Sequence, residues 1–152
     1  MEYEALLQVA ENQGICTYEK LMPRGIKGLY ADKVIWINKR MPLTEKTAIL
    51  AEELGHYFTS DGNILDQTDL MNRKQELRAR QWAYQCMLPL DRIVQAHHAR
   101  ISGRYDLAEY LGVPEEFLQA AIDRFTGKHG LSVRADGRHI VMFDPLGVIE
   151  VF

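Results

Sequence analysis

The chain has 152 residues, 47% of them hydrophobic and 26% charged, which is enough for one domain with a real core and hardly for two. Its net charge of -3 argues against a protein whose main task is gripping phosphate backbones. Cys16 and Cys86 form no Cys-x-x-Cys pair and read as buried thiols of a reducing compartment. No apolar run is long enough to span a bilayer, and Met1-Glu2-Tyr3-Glu4 is acidic where a signal peptide is basic, so the expected address is the cytoplasm.

In chain order, Glu2 to Asn12 predicts a short helix stopped by Gly14. Runs of β-favouring residues follow at Ile15 to Tyr18, Ile26 to Tyr30 and Val34 to Asn38, with Ala31-Asp32 placed to close a tight hairpin. The third run is expected to offer an exposed edge to which an extended peptide adds as a strand. Pro42-Leu43-Thr44 breaks the pattern, and Thr44 with Glu45 marks a helix start that carries to about Thr59. Ser60 to Gln67, around Asp61-Gly62-Asn63, reads as a loop. A long helix is predicted from Asp69 to Met87, ahead of Pro89. Shorter helices follow at Leu90 to His98, Asp106 to Leu111 and Glu115 to Lys128.

The tail switches to period two. Asp136-Gly137 predicts a hairpin turn with Val133 opposite Ile140 and Leu131 opposite Met142. Pro145-Leu146-Gly147 then leads into a last strand, Val148 to Phe152. Early strands, central helices and a C-terminal β-hairpin make an α+β fold, read as a single domain over residues 1–152.

The helix from Thr44 to Thr59 has an apolar arc of Leu50, Ala51, Leu54, Tyr57 and Phe58. Glu52 and His56, four residues apart, stand one above the other on the opposite side. Glu53 is rotated from Glu52 by about 100°. A solvated face explains these charges, yet Ile49 sits in the middle of that face. Gly55 costs a helix interior about 1 kcal/mol against alanine, and glycine in such a place more often admits a close neighbour. On the next helix, Glu76 shares a side with Ala79, Ala83 and Met87. A carboxylate at the margin of that stripe needs a partner, either a bound cation or the flanking Arg73 and Arg80.

Three stretches then carry a resemblance. Ile49-Leu50-Ala51-Glu52-Glu53-Leu54-Gly55-His56-Tyr57 resembles the His-Glu-x-x-His helix of the ImmA/IrrE metallopeptidases of phages and mobile elements. Glu76-Leu77-Arg78-Ala79-Arg80-Gln81-Trp82-Ala83, ending in Met87-Leu88-Pro89, resembles the second helix of that family. Lys27 to Asn38 is similar to its preceding hairpin.

The resemblance implies a zincin-like domain with His56 and Glu76 as zinc ligands and Glu53 as general base. Glu52 stands where the family has its first histidine, and so falls in the remaining ligand position. Two ligands one helical turn apart, plus a third from another helix, leave a coordination position for water. Exchanging an imidazole for a carboxylate lowers the metal's net charge and Lewis acidity, and admits Mn2+ or Fe2+ beside Zn2+.

Two functions follow as expectations. One is an endopeptidase that cleaves a helix-turn-helix repressor of a prophage or mobile element. The other is a catalytically weak or inactive pseudoenzyme that binds and sequesters a transcriptional regulator, that repressor or another. No direct nucleic-acid or membrane contact is expected.

Other constellations are weaker. Glu53-x-x-His56 is half of a di-iron motif that needs a second copy, and the chain has none. His97 and His98 read as surface or cap residues with at most a spare ligand, while His129 and His139 carry no ligand spacing. Asp106 to Phe125 suggests helix-turn-helix, but Glu115, Glu116 and Asp123 dominate its second helix. Leu107, Tyr110, Leu111, Phe117, Leu118 and Ile122 read as core.

Overall fold

A computed structural model describes residues 1–60 and 69–152, and the loop expected over Ser60 to Gln67 lies outside them from position 61 onward. Packing divides the chain into two compact units, Met1–Cys86 and Met87–Phe152. The fold is α+β, as the sequence patterns predict. Among the described residues no helix is long and apolar enough to cross a membrane.

The first unit opens with helix α1 (Tyr3–Asn12), which buries Tyr3, Leu6 and Ala10, residues at helical spacing along one side. Strands β1 (Cys16–Lys20), β2 (Gly28–Ala31) and β3 (Val34–Asn38) form a sheet in the order β1-β3-β2. β1 runs parallel to β3 and β2 antiparallel to it. The β2–β3 turn is Asp32-Lys33, one residue later than expected. Ala31 pairs with Val34, and both turn residues take positive φ, 48° and 62°, as a tight hairpin of the I′ kind requires.

β3 is the central strand, with Ile35 and Ile37 fully buried. The expected exposed edge at Val34 to Asn38 is therefore incorrect, because both sides of that strand are already hydrogen-bonded. β1 and β2 are the edges. At the end of β3, the buried Asn38 ties down the chain that enters β2. Its side-chain amide donates to the carbonyl of Ile26 at 2.8 Å and faces those of Met22 and Pro23 at 3.3 and 3.4 Å. Its Oδ1 accepts the Arg40 amide at 3.1 Å.

Helix α2 (Leu43–Thr59) starts after Pro42, whose carbonyl accepts the Lys46 amide at 3.0 Å. The expected cap at Thr44 lies inside the helix. Proline suits the boundary because its fixed φ and missing N–H leave no donor to satisfy. α2 packs on α1, β2 and β3. Helix α3 (Asp69–Met87) follows, with Ala79, Ala83 and Met87 fully buried.

The second unit contains α4 (Leu90–His98), α5 (Arg104–Leu111) and α6 (Glu115–His129). Its antiparallel sheet has the order β4 (Ser132–Arg134), β5 (His139–Phe143), β6 (Leu146–Glu150). Leu107, Leu111, Phe117, Leu118 and Ile122 are core as expected, whereas Tyr110 is exposed.

The C-terminal register differs from expectation by one residue. Val133 pairs with Val141 and Ser132 with Met142. The cause is a longer turn, in which Asp136 Oδ1 accepts the backbone amides of Arg138 and His139 at 2.7 and 2.9 Å. Val141 and Phe143 consequently face the core, not Ile140 and Met142. β6 begins at Leu146 rather than Val148. Cys16 is exposed and Cys86 half-buried, so neither is the buried thiol expected.

Candidate metal centre

Helix α2 presents Leu54 and Gly55 to the interior, both buried. A Cβ added at Gly55 would stand 2.2 Å from the carbonyl oxygen of Ala79 on α3. Only glycine lets the two helix backbones meet there, and Ala79 answers it with a small side chain. The close approach is what the position of Gly55 in the sequence suggests. One helical turn away, the Phe58 and Trp82 rings stack with centroids 5.0 Å apart.

This contact sets the residue after Gly55 against the residue one turn before Ala79. His56 Nε2 lies 3.3 Å from Glu76 Oε1. The pair is unevenly sheltered, with side-chain exposures of 28% for His56 and 54% for Glu76.

Glu52 and Glu53 are half-buried. Glu53 reaches toward β2, where Gly28 makes room. A Cβ at Gly28 would lie 2.6 Å from Ile49 Cγ2 and 3.6 Å from Glu53 Oε1. Ile49, the apolar intruder on the charged face of α2, is therefore buried against the strand.

Burial, followed by the neighbouring charges of Glu52 and Glu76, pushes the Glu53 carboxyl up to about 7. Burial also raises Glu52. Arg80 opposes that shift, Glu76 adds to it, and Lys27 opposes it more weakly. Glu53 thus feels Glu52 and Glu76 as like charges, and Glu52 feels Glu76, which Arg80 and Lys27 oppose at Glu52.

Two of the four predicted site residues, His56 and Glu76, stand within hydrogen-bonding range of one another, with Glu52 and Glu53 on adjoining turns of α2. Yet they do not form a tight ligand cage. Among the described residues, the one set of three potential ligand atoms within 4.8 Å of each other is His98, His139 and Glu150, in the second unit. Sequence spacing gave no hint of it. A two-residue turn at Asp144-Pro145 would have revealed part of it, since that count pairs His139 with Glu150 across β5 and β6.

The family model for the IrrE N-terminal-like domain (peptidase M78) matches residues 3–123, so it extends into both units. No curated protein matches the chain. Among solved structures, the chain is similar to a Mycobacterium tuberculosis transcriptional regulator at 21% identity and a TM-score of 0.58. The likeness covers 78% of this chain and 40% of the regulator, so the chain spans well under half of that protein's length.

Proposed function

The chain belongs to the IrrE N-terminal-like domain family, and from that premise we propose that it is a metal-dependent endopeptidase acting on a helix-turn-helix repressor of a prophage or mobile element. The observation that carries this reading is His56 Nε2 at 3.3 Å from Glu76 Oε1, on two helices locked together at Gly55 and Ala79. The donor set suits a divalent cation, because burial, with the Glu76 charge adding to it, raises both α2 carboxyls, and a bound cation would offset that cost. His56, Glu76 and Glu52 would hold the ion, with zinc, manganese and iron all compatible with so oxygen-rich a set. When bound, such an ion supplies Lewis acidity toward a peptide carbonyl.

The remaining chemistry belongs to Glu53. Its sheltered carboxyl takes a proton from the attacking water and returns it to the leaving amine, and an acidity near neutral is well matched to both halves of that exchange. Recurrence of the fold within a transcriptional regulator supports a regulatory setting.

The spread of Glu52, His56 and Glu76 beyond mutual ligand distance favours a second reading, in which the chain binds and sequesters the regulator without cutting it. Incubating the purified protein with repressors encoded beside its gene separates the two. Cleavage by wild type but not by Glu53→Gln supports the enzyme; binding by both without cleavage supports sequestration. Position 52 has its own test. Zinc calorimetry on wild type, Glu52→His and Glu52→Ala, each carrying His98→Ala, should give tightest binding for Glu52→His. Equal affinity in all three would remove Glu52 from the ligand set.

A further inference from the structure

We propose that His98, His139 and Glu150 form a second site, for a nitrogen-preferring divalent ion of the zinc class, that ties the end of α4 to strands β5 and β6. This inference does not rest on the peptidase reading, since none of its residues belongs to that site.

The geometry begins with the sheet. His139 opens β5 and Glu150 closes β6, and the register places them directly opposite each other. α4 packs on both strands, and His98, its last residue, brings Nε2 to 3.0 Å from His139 Nε2. His98 Nδ1 lies 3.7 Å from Glu150 Oε1, and the neighbouring His97 Nε2 lies 3.4 Å from the same oxygen. Taking one ligand atom from each of His98, His139 and Glu150, all fall within 4.8 Å of one another. Tetrahedral ligands about 2.0–2.1 Å from zinc sit roughly 3.3 Å apart, so small side-chain rotations close the set around an ion.

The outer shell is also present. His139 Nδ1 is 2.9 Å from both carboxylate oxygens of Asp136. Asp136 Oδ1 is in turn fixed by the backbone amides of Arg138 and His139. An imidazole that donates Nδ1–H to a carboxylate presents the Nε2 lone pair outward, the arrangement metal-ligating histidines usually show. Two facing imidazole nitrogens need a proton or an ion between them, and His139 has already committed its Nδ1 proton to Asp136. Two imidazoles and one carboxylate favour zinc, cobalt or nickel over magnesium or calcium. The side chains of His98 and Glu150 are 54% and 39% exposed, which leaves a coordination position open to solvent.

The test uses the full chain, stripped with chelator and then titrated with Zn2+ by calorimetry and with Co2+ by visible absorption. Wild type, His56→Ala, His98→Ala and His139→Ala are compared. We expect His56→Ala to keep one bound ion per chain, and His98→Ala and His139→Ala each to lose that ion or weaken it at least tenfold. His98 is exposed, so its variant should fold even if His139→Ala does not, and circular dichroism checks both. In wild type, Zn2+ should shift the ring NMR signals of His98 and His139 together. Unchanged stoichiometry and affinity in His98→Ala, or ring signals of His98 and His139 that stay still at saturating zinc, would overturn the site. Failure of the peptidase reading instead appears at His56 and Glu53, so the two outcomes are separable.

Discussion

The two histidine–carboxylate groups of this protein are built on opposite plans. In the first unit, α2 and α3 bring their backbones into contact at Gly55 and Ala79; the α2 side chains Glu52, Glu53 and His56 are sheltered, Glu76 is open, and the set is loosely spaced. In the second, a helix end and two strand ends gather three side chains closely, with two of them open to solvent. Shelter raises the cost of charge, which lifts the Glu53 carboxyl to about 7, the value the proposed proton transfer calls for. Gathering without shelter costs little and favours holding an ion over activating a water. The same residue types are suited to chemistry in one place and to fastening in the other.

The largest effect is expected at the helix contact. Gly55→Ala forces a methyl group against the Ala79 carbonyl and should destabilise the protein by about 3 kcal/mol, read from urea unfolding followed by circular dichroism. A loss below roughly 1 kcal/mol would mean that α2 and α3 do not rely on this approach.

A pH series comes next. The folded Glu53 carboxyl titrates at about 7 against 4.5 ordinarily, so the native state binds this proton more tightly than the unfolded chain. In metal-free protein, stability should therefore fall as pH rises from about 4.5 to about 7, by something on the order of 2 kcal/mol once partial solvent screening is allowed for. Glu53→Gln should flatten that decline in urea midpoints. An unchanged slope would show that Glu53 is not sheltered.

In the second unit, Asp136→Asn removes the carboxylate that orients His139 and should weaken zinc at that site about tenfold in calorimetry. No change would show that the ring is fixed by other contacts. The smallest effect is expected at Gly127 in α6, where an added Cβ meets nothing within 4 Å. Gly127→Ala should raise stability by roughly 0.5–1 kcal/mol, the reverse of Gly55→Ala. A shared sign for the two substitutions would remove the contrast between a packed and an open helical glycine.

Much of the first unit was legible because its information is local. Helical periodicity placed Glu52 and His56 on one side of α2, and both Ile49 and Gly55 stood out as misfits on a wet face. Both misfits turn out to be contacts, with β2 and with α3. The second unit hid its ligand cluster because that proximity depends on register. One additional turn residue, held by Asp136, shifted the whole hairpin and exchanged Ile140 for Val141 in the core. The central place of β3 was likewise hidden, since the β1–β3 pairing is parallel and skips over β2. The parallel pairing has no signature in residue spacing, whereas the His139–Glu150 pairing needed only the length of the turn at Asp144-Pro145.

Asn38 also bears on how the molecule ages. Its amide nitrogen serves three carbonyl oxygens of the chain that leads to Lys27 and Gly28, the approach to the Glu52 and Glu53 side of α2. Hydrolysis of that amide would replace the donor by a carboxylate facing those same oxygens in a buried position, turning attraction into repulsion. A single slow deamidation at position 38 would thus unfasten the strand entry beside the candidate metal centre. On storage, loss of function by this route would be accompanied by a mass gain of about one dalton on the peptide containing Asn38.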